Sequence, residues 1–64
     1  MTLNFTLDYD AEEVSVLVNE SVTVNILKID STNYSYKNFS KLEDELDDDA
    51  LVERIKTFSR HLIP

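Results

Sequence analysis

The spacing of apolar residues changes once along the chain, and this change limits the folds that 64 residues can adopt. In the first half, apolar and polar residues alternate, as they do around Leu3, Phe5 and Leu7. Strict alternation is typical of a β-strand with one buried face, whereas apolar residues spaced three or four positions apart, as found after residue 40, are typical of an amphipathic helix. The chain is therefore predicted to form strands first and a helix last. The predicted strands cover about residues 2–9, 14–19, 22–29 and 34–39.

Short polar segments separate the predicted strands and limit the topology. Loops of three or four residues join consecutive strands only in antiparallel order, so a meander is the simplest sheet. The chain has no glycine, and Asn19 is the residue best suited to a left-handed backbone conformation in the loop before the third strand. The absence of glycine also excludes glycine-rich phosphate loops and dinucleotide-binding turns. We expect one α+β domain over residues 1–64, an antiparallel meander of three or four strands with a C-terminal helix packed on one face.

The third predicted strand departs from simple alternation. Its first three apolar residues share one face, but its last two, Leu27 and Ile29, lie on the other. A bulge near Ile26, or a strand end covered on both faces, would account for the change. Together with Leu17, Leu27 and Ile29 would form an apolar patch on the face away from the helix. This patch is a candidate dimer contact, because so small a domain has a limited core, although single exposed leucines are also common on ordinary surfaces.

Two groups of apolar residues follow the strands. Ser40 and Glu43 match a capping box, which predicts that a helix begins there. Leu42 and Leu46, however, lie on a different side from the later apolar residues, and one straight helix cannot present both groups to one core. A short helical turn over residues 41–46 is therefore predicted, followed by a break.

The main helix is predicted over residues 49–62, with Asp47 or Asp48 as its N-cap. Aspartates at its start and basic residues toward its end both agree with the helix dipole. Its apolar stripe consists of Leu51, Ile55, Phe58 and Leu62. The strand residues expected to face this stripe are Phe5, Leu7, Val14, Val16, Val18, Val24 and Ile26.

Acidic residues dominate the charge of the chain. Thirteen acids against six bases give a formal net charge of −7, and six of the acids lie within residues 43–49. Such a chain is repelled by nucleic acid and by anionic membranes, because both are bound through Lys and Arg. Direct binding to either is not expected. A protein with a basic surface is the expected partner, while helix capping and solubility are the simpler explanation of the same acids.

The sequence offers little for catalysis. The chain has no cysteine, and its one histidine, His61, lies near the end of a predicted helix without an evident partner. The acidic run fails the calcium-binding loop pattern, which needs a glycine at its sharp turn. We therefore expect no enzyme activity, no catalytic residue, no cofactor and no specific metal site. No leader peptide or membrane span is evident, which predicts an intracellular, cytoplasmic protein.

The function expected from these features is non-enzymatic protein binding. The chain would be a small acidic inhibitor or modulator that presents carboxylates to a basic surface of a partner. The most specific version of this hypothesis is a nucleic-acid mimic that blocks the nucleic-acid site of its partner. Tyr34 and Tyr36 add a candidate contact, because tyrosine is favoured at interfaces. The simpler explanation is that both side chains point the same way to complete the hydrophobic core. The alternative is a structural or assembly module, a homodimer formed through an apolar sheet face or an edge strand. The candidate partner-binding residues are Glu43, Asp44, Glu45, Asp47, Asp48, Asp49, Asp8, Asp10, Glu12, Glu13, Tyr34 and Tyr36.

Overall fold

Four strands and two helices follow one another along the chain, and a computed structural model describes all residues 1–64. The strands form one antiparallel sheet in the order β1-β2-β3-β4, so the predicted α+β class and the antiparallel meander are confirmed. The strands are β1 (Leu3–Asp8), β2 (Glu13–Val18), β3 (Val22–Lys28) and β4 (Tyr34–Lys37), and the helices are α1 (Phe39–Leu46) and α2 (Asp49–Leu62). Neither helix has the length and apolar composition that a membrane crossing requires.

The turn between β2 and β3 forms without glycine. Asn19 has φ 52° and Glu20 has φ 59°, the left-handed conformation found at the central positions of a type I′ turn. The Ser21 N–H closes this turn by donating to the Val18 carbonyl at 3.0 Å. Asn19 also fixes the first residues of the chain, because its Oδ1 accepts a hydrogen bond from the Thr2 N–H at 3.0 Å and its own N–H donates to the Thr2 carbonyl at 2.8 Å. The prediction that Asn19 takes the place of a glycine is confirmed.

The register of β3 is regular to its end. Pairing with β2 runs without interruption from Val18 opposite Val22 to Glu13 opposite Leu27, so the predicted bulge near Ile26 is wrong. The apparent change of face arises because Lys28 occupies a core-side position, where its Nζ donates to the Pro64 carbonyl oxygen at 2.7 Å. Leu27 remains on the opposite face.

The core lies between one face of the sheet and the helices. Five strand residues are fully buried there, namely Val14, Val16, Val18, Val24 and Ile26. Leu42 of α1 and Ile55 of α2 pack into the same cluster. Two other residues predicted to face α2 are less covered, since Phe5 is half-buried and Leu7 is 39% exposed. The reason is that both helices make their main sheet contacts with β3, while β1 lies at the edge of the sheet.

Helix α2 is rotated relative to the predicted stripe. Its buried residues are Val52, Ile55 and Ser59, whereas Phe58 is 50% exposed. Ser59 is small enough to let the helix approach the sheet, but its hydroxyl has no hydrogen-bond partner, an arrangement that costs on the order of 1–3 kcal/mol. Phe58 instead packs edge-to-face on Phe5, with ring centroids 4.9 Å apart, and so covers part of β1.

Helix α1 begins earlier than predicted, and the proposed capping box is wrong. The N-cap is Asn38, with φ 65° and no side-chain capping bond; its amide donates instead to the Thr23 carbonyl at 3.1 Å. Because Phe39 turns into the core as the first helical residue, β4 ends at Lys37 rather than at 39. The predicted interruption before α2 is confirmed.

Candidate functional site

The acidic run forms the corner between the two helices. We call residues 43–49 the acidic elbow: it comprises the last turn of α1, the linking residues Asp47 and Asp48, and the first residue of α2. All six carboxylate side chains of the acidic elbow are exposed, while Leu46 among them is half-buried. The sequence prediction therefore located both the acids and the bend that displays them.

Backbone geometry and packing fix the acidic elbow. Asp47 adopts the left-handed conformation with φ 49°, and its N–H donates to the Glu43 carbonyl at 2.9 Å, which ends α1. Asp48 is extended, and its carboxylate accepts the Leu51 N–H at 3.1 Å, which caps α2 as predicted. Leu42, fully buried, anchors α1 to the core immediately before the acidic elbow. The corner is thus defined by hydrogen bonds on both sides.

The carboxylates of the acidic elbow have no cationic partner. The one ion pair of the protein joins Lys56 to Glu53 at 3.5 Å, outside the acidic elbow. Asp48 and Asp49 lie at the N-terminus of α2, where the helix dipole favours negative charge. The last turn of α1 is different: it carries three acids and no base at the end where the dipole is itself negative. These three residues, Glu43, Asp44 and Glu45, lie where carboxylates destabilise a helix.

A shallow groove separates the two helices beside the acidic elbow. Glu43 and Asp49 line it together with Glu53 and Lys56. The Lys56 ammonium lies over the rings of Tyr36 and Phe39, 5.2 and 5.3 Å from their centroids, so its charge is directed toward the aromatic side chains. No three His, Cys, Asp or Glu side chains converge closely enough to hold a metal ion.

The second predicted group of acids lies at the other end of the sheet. Its members belong to the β1–β2 turn and the strand ends beside it: Asp8, Asp10, Glu12 and Glu13. The acidic elbow adjoins the β2–β3 turn instead, where Ser21 Oγ donates to Glu45 at 3.4 Å. The six residues of β2 separate the two turns by about 17 Å. The structure therefore does not bring the two acidic groups together on one surface.

The two tyrosines of β4 point toward the helices. The Tyr36 hydroxyl accepts a hydrogen bond from Arg60 Nη1 at 2.8 Å, and its ring packs edge-to-face on Phe39 with centroids 5.5 Å apart. Tyr34 is half-buried against the core. Both side chains thus serve the packing between β4 and the helices.

The three residues of the candidate dimer patch are not adjacent. Leu17 and Leu27 share the sheet face away from the helices, but Leu17 pairs with Thr23 and Leu27 pairs with Glu13, which lies four residues from Leu17 on β2. Between them, Asn25 Nδ2 donates to Ser15 Oγ at 3.1 Å, so a polar pair interrupts the apolar surface. Ile29 lies beyond the end of β3 and is 59% exposed.

One carboxylate outside both acidic groups has a perturbed pKa. The side-chain amide of Asn33 and the backbone N–H of Thr32 donate to Asp30 and lower its pKa from 3.8 to about 2. Because the folded pKa is depressed, the stabilisation it contributes is present above pH 3.8 and is lost as the pH falls through about 2. The polar sequence of residues 30–33 predicted a turn, and this fully exposed carboxylate holds that turn together.

His61 lies exposed on the outer side of α2, near Arg54 and Phe58. No carboxylate or hydroxyl forms a hydrogen bond with its ring.

Comparisons of the chain with protein-family models, with curated proteins and with solved structures find no match. A function for the chain therefore has to be inferred from its own surface.

Proposed function

We propose that this chain is a non-enzymatic protein-binding module whose acidic elbow docks on the basic surface of a partner protein and thereby inhibits or modulates it. One observation carries the proposal. Glu43, Asp44 and Glu45 lie exposed at the negative end of α1, and none of them forms an ion pair. A surface of this kind is attractive to Lys and Arg side chains and repels nucleic acid.

The simpler explanation, capping and solubility, accounts for only part of the acidic elbow. Asp48 caps α2, and Asp49 is favoured in the first turn of that helix. The three acids of α1 have the opposite relation to their helix, and each costs stability where it lies. Solubility needs charge on the surface but not at a position that weakens a helix. The placement is accounted for if these carboxylates are used by a partner.

The chemistry of the acidic elbow fits a partner site built for phosphate. Such sites present Arg and Lys donors, and these bind carboxylates by the same charge-assisted hydrogen bonds. Duplex DNA carries one negative charge per about 1.7 Å of its axis, and the acidic elbow carries six within seven residues. We therefore take a nucleic-acid-binding surface as the target of the acidic elbow, with the chain acting as a competitor of the nucleic acid.

Affinity capture from an extract of the native source tests the proposal. The elbow amide variant carries Glu43→Gln, Asp44→Asn and Glu45→Gln, which removes three charges and keeps the side-chain shapes. It is expected to retain about a tenth of the partner that the unmodified chain captures, because each exposed ion pair contributes roughly 0.2–1 kcal/mol. Captured proteins are quantified by mass spectrometry at low and at high salt, and the difference should shrink at high salt.

A matched control separates the acidic elbow from net charge. The turn amide variant carries Asp10→Asn, Glu12→Gln and Glu13→Gln, the same loss of three charges at the opposite end of the sheet. It should capture nearly as much partner as the unmodified chain. Equal losses in the two variants would mean that overall charge, and not the acidic elbow, causes binding. Duplex DNA added to the captured complex should release the chain if the target is a nucleic-acid site.

A further inference from the structure

The edge strand β1 exposes an apolar surface that the core does not use. Leu3 and Phe5 are only half-buried and Leu7 is 39% exposed, although all three side chains are on the helix-facing side of the sheet. Phe58, half-exposed, lies against Phe5 and extends this surface. Four of the six exposed large apolar or aromatic residues of the protein lie on or beside β1: Met1, Leu7, Tyr9 and Phe58. The surface is thus concentrated at one edge.

The backbone of β1 is also free on its outer side. The Thr2 carbonyl accepts the backbone N–H of Asn19, the residue after β2, and the Thr2 N–H donates to the Asn19 side chain. Alternate residues from Thr2 onward therefore direct their backbone groups toward β2. The intervening residues Leu3, Phe5 and Leu7 therefore direct their N–H and C=O groups away from the sheet. Proteins usually protect such an edge with a charge, a proline or a bulge, and residues 3–7 contain none of these.

We propose that β1 pairs with β1 of a second copy of this chain, antiparallel and centred on Phe5, to form a two-fold symmetric dimer with a continuous eight-stranded sheet. The sequence of β1 is nearly palindromic about Phe5, with Leu3 and Leu7 two residues to either side. In this register Phe5 faces Phe5 of the second copy and Leu3 faces its Leu7. All three residues that offer free backbone groups then pair apolar to apolar on one face.

The absence of charge on residues 3–7 favours a second copy over a basic partner. The chain has a net charge of −7, so two copies associate only where neither presents a carboxylate to the other. Residues 3–7 are uncharged, and the register places Asp8 opposite Thr2 of the second copy. The two Asp8 carboxylates are then about 20 Å apart, well beyond the Debye length of about 8 Å at physiological salt. A basic partner would gain nothing from this strand.

The register predicts which side chains meet on the open face of the sheet. Asn4 and Thr6 are both exposed there, and each faces the other residue type in the second copy. A lysine pair variant, Asn4→Lys with Thr6→Lys, would therefore place lysine opposite lysine twice. A glutamate pair variant, Asn4→Glu with Thr6→Glu, would do the same with carboxylates. Each variant alone should stay monomeric, and an equimolar mixture should form a mixed dimer.

Sedimentation velocity from micromolar to millimolar concentration provides the test. The unmodified chain should shift from a mass of 7.4 kDa to twice that value as its concentration rises. Thr23→Lys with Ser31→Lys is the matched control, since it adds the same charge away from β1, and it should dimerise like the unmodified chain. Amide exchange adds a readout without substitution: the Phe5 amide should become protected only at concentrations where the dimer forms.

Three results would overturn the proposal. They are a constant mass of 7.4 kDa for the unmodified chain up to millimolar concentration, dimerisation of the lysine pair variant alone, and failure of the two variants to associate when mixed. The inference is independent of the acidic elbow as a binding site. The elbow amide variant should dimerise as the unmodified chain does, so loss of partner capture and loss of the dimer are separate outcomes.

Discussion

Replacement of Leu42 with alanine is expected to unfold most of the protein at room temperature. Leu42 is fully buried and connects α1 to the sheet core. Removing a buried leucine side chain costs about 2–5 kcal/mol, because transfer free energy is lost and a cavity is left. A single core in a domain of this size rarely supplies more than about 3–5 kcal/mol. Far-UV circular dichroism and a urea titration should therefore show a largely unfolded variant.

Leu17→Ala is the matched control, since it removes the same atoms from a half-buried position on the open face of the sheet. Its cost should be about 1 kcal/mol, because only part of the side chain leaves an apolar environment. The unfolding midpoint should then fall but the native spectrum should remain. Equal losses in the two variants would mean that α1 is not anchored through Leu42, and the acidic elbow would then lack its support.

The elbow amide variant is expected to be more stable than the unmodified chain while it binds partner less well. Its three substitutions remove carboxylates from the negative end of α1, where each costs a few tenths of a kcal/mol, so the gain should be about 1 kcal/mol at low salt. Relief of repulsion among neighbouring carboxylates acts in the same direction. Urea unfolding monitored by circular dichroism measures the gain, which added salt should reduce.

The turn amide variant again provides the comparison. It removes the same three negative charges but takes no carboxylate from the end of a helix. Its stability gain should be smaller than that of the elbow amide variant. If the elbow amide variant is instead less stable than the unmodified chain, its three acids have a structural role, and their placement no longer argues for a partner.

Much of the fold could be predicted because local patterns and tertiary packing agree. Alternation in β2 and β3 is clear because one face of each strand is fully covered. The break between the helices could be predicted because Leu42 and the apolar residues of α2 cannot share one side of a straight helix, and Asp48 is a favourable N-cap. Where the local sequence pattern and the tertiary packing favour the same structure, prediction from the sequence is reliable.

The errors arise where packing decided between local alternatives. Ser40 and Glu43 match a capping box, but burial of Phe39 begins α1 one residue before Ser40. The rotation of α2 depends on how closely it approaches the sheet through Ser59, a residue whose polarity hides its burial. The separation of the two acidic groups could have been predicted from the sequence, because a meander places successive turns at opposite ends of the sheet.

The backbone dynamics of the acidic elbow decide whether it can dock on a partner, because docking requires carboxylates that the fold holds in fixed positions. Amide ¹⁵N relaxation of the free chain reports this motion residue by residue. The order parameters of residues 43–49 are predicted to be about 0.85, equal to those of β2 and β3, since Asp47 and Asp48 are hydrogen-bonded on both sides of the corner. Values below about 0.6 throughout the acidic elbow would rule out docking through it, because a mobile segment offers no defined surface for recognition.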